Sequence, residues 1–176
     1  MTIKVYKDFL DKDLHNHLFN LIQSRNFGWH QDKFVTAHSV KHKQDDTQFC
    51  HYLCDASSAP SNFLEEFNPL FDKLDVQILQ RAKLNLTLPE DEIRILGGFH
   101  HDYYRDVELK QPLKELKIAL YYFNTTDGQT LIEENKTIKK IDCEENSLVT
   151  FSNTLQHTAN THTNKKFRYV LNINYI

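Results

Sequence analysis

The stretch that decides the fold is RAKLNLTL, residues 81–88, in which polar and apolar residues alternate. Successive side chains of a β-strand point to opposite faces of its sheet. The pattern therefore predicts a strand with one dry face and one polar face. The dry face would carry Ala82, Leu84, Leu86 and Leu88, and the polar face would carry Arg81, Lys83, Asn85 and Thr87.

The last stretch of the chain, RYVLNINY at residues 168–175, repeats this two-faced pattern. One face would carry Arg168, Val170, Asn172 and Asn174, and the other Tyr169, Leu171, Ile173 and Tyr175. Two arrangements fit: an edge strand that turns its polar face to solvent, or a strand that lines a polar cavity inside a barrel. In a cavity, the planar guanidinium of Arg168 could hold a carboxylate through two parallel hydrogen bonds.

Short strand-like runs fill most of the chain after residue 76. They lie at residues 93–102, 116–124, 130–133, 137–141, 148–152 and 167–176. Asp127-Gly128 is a typical hairpin turn, and many short strands separated by turns indicate a sandwich or a barrel. We therefore predict a mainly β fold with flanking helices.

The flanking helices are predicted before residue 76, where apolar residues follow helical spacing. The first helix would be capped by Asp11 or Asp13 and end near residues 26–28. The second begins at Ser61, and Pro69 should kink it or start a new helix.

His100, Asp102 and His157 form a candidate metal site. On an extended chain, residues i and i+2 point to the same side, so His100 and Asp102 can reach one ion while His101 points away. His157 lies fifty-five residues beyond Asp102 and would supply the third ligand. Two imidazoles and one carboxylate on one face of a metal leave the opposite positions open, as in the facial triad of non-haem Fe(II) oxygenases.

Residues near these ligands are candidates for substrate contacts. Tyr103, Tyr104 and Arg105 directly follow the ligand pair, and loops at the mouth of a barrel often carry specificity. The polar segment at residues 29–55 resists assignment, and we interpret it as a lid or an insertion over the site.

Other cysteines and histidines are weaker metal candidates. His38 and His42 are four residues apart, but no acidic helix context supports a metal pair there. Residues 50–54 (CHYLC) resemble a fragment of a zinc site without the remaining ligand, and we interpret them as structural. His162 lies in a polar turn, and we expect it to be solvated.

Length and charge exclude several classes of protein. The chain has 176 residues, 40% of them hydrophobic, which suits one domain over residues 1–176. The net charge is −3 and no Lys/Arg cluster goes beyond a pair such as Lys139-Lys140, which disfavours duplex nucleic acid as a partner. Three cysteines without a C-x-x-C motif predict reduced thiols. No signal-peptide or membrane-length apolar run occurs, and we expect a cytoplasmic protein.

Four segments around these residues resemble a known family. They are FHHDY at residues 99–103, ALYYFN at 119–124 with DGQT at 127–130, FS at 151–152 leading to HT at 157–158, and RYVLNINY at 168–175. With them, the chain from residue 5 to its C-terminus resembles the small stand-alone Fe(II)/2-oxoglutarate-dependent dioxygenases. These are the prolyl-hydroxylase-like enzymes found in bacterial and phage genomes.

The resemblance implies a fold, a cofactor and a reaction. The fold is a double-stranded β-helix, a cupin-like jelly roll, with N-terminal helical support over about residues 1–75 and a β-helix core over about 76–176. The metal is Fe(II), held by His100, Asp102 and His157. Arg168, eleven residues beyond His157, would bind the distal carboxylate of 2-oxoglutarate. With O2, the enzyme would hydroxylate a peptidyl proline or a small molecule while 2-oxoglutarate becomes succinate.

Strand phase and the resemblance together nominate Asn85, Tyr121 and Asn172 as further co-substrate contacts. Many family members carry Ser or Thr two residues beyond the Arg, where this chain has Val170, and Tyr121 or Thr130 could supply the missing hydroxyl. An alternative function uses the same residues differently: a cupin-like protein that binds a divalent metal and a small anion without catalysis. The oligomeric state is not readable from the sequence.

Overall fold

The computed structural model describes residues 2–32, 48–56, 58–109 and 111–176. Antiparallel strands form a seven-stranded sheet, a four-stranded sheet and a small hairpin. The two larger sheets face each other, because an apolar cluster between them takes Leu120 and Val149 from one and Ile132 and Ile141 from the other. This architecture confirms the predicted mainly β, jelly-roll fold.

The helices and strands are numbered in the order in which they occur along the chain. The helices are α1 (Lys12–Ile22), a 3-10 turn (Leu64–Phe67) and α2 (Asn68–Lys73). The strands are β1 (Lys4–Tyr6), β2 (His30–Asp32), β3 (Gln48–Cys54), β4 (Leu79–Thr87), β5 (Ile95–His100), β6 (Tyr104–Asp106), β7 (Gln111–Pro112), β8 (Lys117–Tyr122), β9 (Thr126–Glu134), β10 (Thr137–Cys143), β11 (Ser147–Ser152), β12 (His157–Asn160) and β13 (Arg168–Tyr175). The seven-stranded sheet has the order β1-β11-β8-β13-β4-β3-β2, the four-stranded sheet has the order β10-β9-β12-β5, and β6 pairs with β7.

The alternation in β4 and β13 decides what each face of the seven-stranded sheet packs against. The dry face lies against α1 and α2, and one apolar cluster there includes Leu18, Ile22, Leu70, Phe71, Ala82, Leu84, Leu86, Tyr169, Leu171, Ile173 and Tyr175. Leu88 is the exception, since it lies beyond the end of β4 and is 43% exposed. The polar face turns toward the four-stranded sheet. Both faces are as the sequence predicts.

α1 begins where the sequence predicts it, whereas the helix predicted from Ser61 begins at Leu64 as a 3-10 turn. The carboxylate of Asp11 accepts a hydrogen bond from the N–H of Leu14 at 2.9 Å and caps α1. This helix ends at Ile22, earlier than predicted, and the indole N–H of Trp29 donates to the carbonyl of Ile22 at 3.1 Å. Pro69 lies in the first turn of α2 and starts a new helix, where its missing N–H costs no hydrogen bond. None of the described helices is both long and apolar enough to span a membrane.

The predicted turn at Asp127-Gly128 is wrong, because both residues lie inside β9. Asp127 instead accepts hydrogen bonds from the backbone N–H and the hydroxyl of Thr163, at 2.8 and 2.6 Å. The hairpin between β9 and β10 turns at Asn135 and Lys136, whose φ angles are 52° and 63°. Two left-handed residues are the backbone that a tight two-residue hairpin requires.

The first 75 residues contribute strands as well as helices. β1, β2 and β3 join the seven-stranded sheet, and β3 extends it beyond β4. The predicted boundary near residue 75 therefore does not separate a helical support from a β core. The edge strands β1 and β2 have three residues each, too few for alternation to show in the sequence. His38, His42 and most of the predicted lid at 29–55 lie outside the described residues.

Candidate metal centre

A bulge in β5 places the first candidate ligand. Ala159 of β12 pairs with Leu96 of β5, and His157 pairs with His100. The two pairs are therefore two residues apart along β12 but four residues apart along β5. The two extra residues are accommodated at Gly97-Gly98, whose φ angles of 67° and 98° favour glycine. The bulge ends with His100 directly opposite His157.

The three predicted ligands meet between the sheets. Ligand atoms of His100, Asp102 and His157 all lie within 4.8 Å of one another. Oδ1 of Asp102 is 3.5 Å from Nε2 of His100 and 3.7 Å from Nε2 of His157. Nδ1 of His100 donates to the carbonyl oxygen of Gly98 at 3.0 Å, which leaves Nε2 as the lone-pair nitrogen that faces the other two ligands.

The protonation states of these groups suit a divalent cation. Burial alone would raise the pKa of Asp102, but Arg81 and the imidazoles of His157 and His100 outweigh it and hold the pKa well below its usual range. Burial lowers the pKa of His157 to about 4, although Asp102 opposes the shift. At neutral pH the carboxylate is therefore ionised and His157 is neutral, which are the metal-binding forms. Two imidazoles and one carboxylate form a donor set that fits non-haem iron.

The second oxygen of Asp102 accepts two hydrogen bonds and forms an ion pair with a guanidinium. Oδ2 lies 3.0 Å from Nδ2 of Asn172, 2.7 Å from Nδ2 of Asn174 and 3.1 Å from Nη2 of Arg81. The Asp102 side chain is only 4% exposed, so these contacts are shielded from water. The amide nitrogen of Asn172, a predicted co-substrate contact, is therefore used by a candidate metal ligand.

A cavity of about 410 Å³ opens beside the candidate ligands. Its floor is the polar face of β4 and β13, with Arg81, Lys83, Asn85, Thr87, Arg168 and Asn172. Because β13 lies between β8 and β4 in the sheet, the edge-strand alternative for residues 168–175 is excluded.

Arg168 lies at one end of this cavity and is 3% exposed. Its Nη1 donates to the backbone oxygen of Asn160 at 3.0 Å, while its Nε has no partner within the described residues. The guanidinium carbon lies 6.0 Å from the ring centre of Tyr122, whose hydroxyl shares a 2.8 Å hydrogen bond with Thr130. A buried guanidinium with unused donors is suited to binding an anionic group.

The structure does not bring Tyr121 into the cavity, and its prediction as a co-substrate contact is corrected. Its ring is fully buried in the cluster beneath the sheet, and its hydroxyl donates to Oδ1 of Asn146 at 2.8 Å and lies 2.7 Å from Nδ1 of His15. Tyr122 points to the opposite face of β8, toward Arg168 and Thr130. A shift of one residue along a strand exchanges the two faces, and the Tyr-Tyr pair leaves that choice open in the sequence.

The three predicted substrate residues lie beside the ligands rather than in the cavity lining given by the described residues. Tyr103 is half-buried, with its ring centre 5.4 Å from the guanidinium carbon of Arg81. Tyr104 is half-buried and Arg105 is exposed, both in β6. All three directly follow the candidate ligand Asp102 in the chain.

Several site residues have no individual signal in the sequence. Nζ of Lys83 is 3.4 Å from Oδ2 of Asp32 and 5.2 Å from the ring centre of Tyr52, and all three residues line the cavity. Strand phase places Lys83 on the polar face, but nothing pairs it with a residue 51 positions earlier. His162 is fully buried, so its predicted solvation is wrong; its Nε2 donates to the carbonyl of Lys165 at 3.1 Å.

Comparison with known proteins gives similarity of structure only. No protein-family model matches the chain. No curated protein matches it in sequence either. A prolyl-4-hydroxylase from Pseudomonas putida is similar in structure, with a TM-score of 0.68 and 15% identity over 98% of this chain and 91% of that one. The chain has the fold of the prolyl hydroxylases.

Two further solved structures are similar to this chain over nearly its whole length. A prolyl hydroxylase from Trichoplax adhaerens, in complex with a peptide fragment of the hypoxia inducible factor oxygen degradation domain, has a TM-score of 0.67 and 13% identity over 99% of this chain and 83% of that one. HygX from Streptomyces hygroscopicus, with nickel and 2-oxoglutarate bound, has a TM-score of 0.63 and 11% identity over 98% of this chain and 82% of that one. The prolyl-hydroxylase fold thus spans nearly all of the chain.

Proposed function

We propose that the chain is an Fe(II)- and 2-oxoglutarate-dependent oxygenase. The observation that carries the proposal is the meeting of His100, Asp102 and His157 beside a cavity that ends at the buried Arg168. A metal centre and an anion site in one cavity are what an enzyme needs to hold iron and a dicarboxylate together. The fold supports the proposal, since similar structures include prolyl hydroxylases and a protein with 2-oxoglutarate bound.

The metal and co-substrate supply the oxidising chemistry when bound: one atom of O2 enters a substrate C–H bond, the other enters succinate, and 2-oxoglutarate loses CO2. The protein's part is to bind and orient. His100 and His157 would bind iron through Nε2, and Asp102 through Oδ1, since these atoms face one another.

Arg168 would bind the distal carboxylate of 2-oxoglutarate with the N–H groups that Asn160 does not use. Tyr122 and Thr130 would supply the hydroxyls that replace the family's Ser or Thr at the Val170 position. Burial raises the pKa of Tyr122, so its hydroxyl stays protonated and able to donate.

Asn85 remains a proposed co-substrate contact. It lines the cavity and lies opposite Val170 in the β4–β13 pair, between the row of Arg168 and the row of Asn172. Co-substrate that extends from the metal to Arg168 would pass over this row. Asn172 would influence the co-substrate through Asp102.

The proposed substrate is a peptidyl proline or a small molecule. The substrate would contact Tyr103, Tyr104 and Arg105, which directly follow the ligand Asp102 in the chain. The peptide complex of the Trichoplax adhaerens prolyl hydroxylase supports the peptide option through the shared fold.

A turnover assay tests the function. Protein supplied with Fe(II), 2-oxoglutarate and O2 should form succinate, and omission of any of the three should abolish it. Proline-containing peptides and small molecules would be screened for gain of one oxygen atom by mass spectrometry. Binding of metal and 2-oxoglutarate with no succinate under any condition would instead indicate the cupin-like metal- and anion-binding protein.

A further inference from the structure

Arg81, Asn172 and Asn174, we propose, are positioning residues that restrict Asp102 to binding the metal through one oxygen. They would thereby keep one coordination position of the metal free. The inference rests on the proposed function and assigns these three residues a role in it.

Three side-chain nitrogens converge on one atom from two neighbouring strands. Arg81 comes from β4 and Asn174 from β13, and the two are directly paired in the sheet. Their nitrogens and that of Asn172 lie 2.7 to 3.1 Å from Oδ2 of Asp102. Oδ1, the other oxygen, faces the imidazoles of His100 and His157. The carboxylate therefore has one oxygen turned to the sheet and one turned to the metal centre.

The orientation of the two asparagine amides is determined by charge. Turning either amide over would place its carbonyl oxygen against the ionised carboxylate, so both N–H groups must point to Asp102. Within the described residues, Oδ1 of Asn172, Oδ1 of Asn174 and Nε of Arg81 are buried without partners. These side chains thus forgo other hydrogen bonds while all three contact Oδ2.

The backbone of Asp102 is held as firmly as its side chain. The backbone N–H groups of Asp102 and Tyr103 donate to Oδ1 of Asn153 at 3.1 and 3.2 Å, and Nδ2 of Asn153 donates to the carbonyl of Tyr103 at 2.7 Å. Arg81 also lies over the Tyr103 ring. With both ends fixed, the carboxylate cannot easily rotate to present Oδ2 to a metal.

Binding through one oxygen rather than two decides whether the metal keeps a free coordination position. In an octahedral centre, two imidazoles, one carboxylate oxygen and two atoms of a chelating keto acid leave one position free. A carboxylate that binds through both oxygens takes that last position, as flexible carboxylates do with many cations. An oxygen that already accepts two N–H bonds and forms an ion pair with a guanidinium has little capacity left for a cation.

The test counts exchangeable water on Mn(II), which requires no turnover. Mn(II)-loaded protein saturated with 2-oxoglutarate should retain one inner-sphere water, seen as enhanced relaxation of solvent protons. In Arg81→Met and Asn174→Leu, which remove donors from Oδ2, that inner-sphere contribution should be lost while Mn(II) stays bound. Arg81→Lys, which keeps a cationic donor, should restore it.

Arg94→Met is the matched control, because it removes a guanidinium that lies 2.6 Å from both carboxylate oxygens of Glu90, outside the metal centre. This variant should relax water as the unmodified protein does. Unchanged relaxation in Arg81→Met and Asn174→Leu, or loss of Mn(II) from both, would overturn the inference. If the unmodified complex shows no inner-sphere water yet forms succinate, the inference fails and the proposed function stands. If it fails to bind 2-oxoglutarate, the proposed function fails.

Discussion

Gly128 packs directly against Arg168: a Cβ atom at Gly128 would lie 3.1 Å from Nη1 of the arginine. It would also lie 3.1 Å from the carbonyl oxygen of Thr161, which belongs to the backbone and cannot move aside easily. The position of the guanidinium therefore depends on the absence of a side chain at Gly128 in β9, which belongs to the opposite sheet.

Gly128→Ala should weaken 2-oxoglutarate binding by about tenfold, because overpacking of this kind costs about 1–3 kcal/mol and here displaces the guanidinium. Titration of the metal-loaded protein with 2-oxoglutarate measures the effect. Gly28→Ala is the control, since a Cβ there would meet nothing within 4 Å. Equal affinity in the two variants would show that Arg168 does not bind the co-substrate from this position.

Arg168→Met should weaken the binding of 2-oxoglutarate by about 100-fold or more while metal affinity is retained, since removing one partner of a buried charge pair costs about 2–5 kcal/mol. The 2-oxoglutarate affinity of Arg168→Lys should fall between those of Arg168→Met and the unmodified protein, because lysine keeps the charge and loses the planar fork. Calorimetry with metal and then with 2-oxoglutarate separates the two affinities. A parallel loss of both would mean that Arg168 supports the fold rather than the anion.

The two adjacent tyrosines should respond differently to loss of the hydroxyl. Tyr122→Phe should weaken 2-oxoglutarate binding, because that hydroxyl lies beside Thr130 near Arg168. Tyr121→Phe should leave binding unchanged and lower the free energy of unfolding by about 1–2 kcal/mol, because its hydroxyl bonds to Asn146 and His15. The opposite assignment of effects would restore the prediction made from the sequence for Tyr121.

His15 should make the protein less stable in mild acid. Burial lowers its pKa, with Glu145 opposing the shift, so the folded protein keeps this imidazole neutral while the unfolded chain takes up a proton. The stability that His15 contributes is therefore present above about pH 6.5 and is lost as the pH falls below it. The fall in melting temperature from about pH 7.5 to about pH 5.5 should be smaller in His15→Asn. Identical pH profiles would contradict this role.

The alternation of polar and apolar residues predicts which strand residues face the cavity. Alternation in residues 81–88 and 168–175 places Lys83, Asn85, Arg168 and Asn172 on the cavity side correctly. The prediction that His100 and Asp102 meet at one point is confirmed, but β5 ends at His100 and Asp102 lies in the loop after it, so strand period is not the reason. The facing of the residues in β4 and β13 does follow from the period of a strand, which the sequence carries directly.

Contacts between distant segments account for the rest. The contact of Arg81 with Asp102 depends on how β4 meets the loop after β5, and neither segment contains a sign of the other. The bulge at Gly97-Gly98 shifts the register of β5 by two residues, and the choice between Tyr121 and Tyr122 depends on register as well. Such choices are made by the packing of the whole sheet rather than by local preference.

The most direct test of the account is the visible absorption of the protein mixed with Fe(II) and 2-oxoglutarate without O2. We predict a charge-transfer band of the chelated keto acid in the unmodified protein, no band in His157→Ala, and a band that needs far more 2-oxoglutarate in Arg168→Met. Absence of the band in the unmodified protein, with iron and saturating 2-oxoglutarate present, would contradict the claim that the triad and Arg168 form one site.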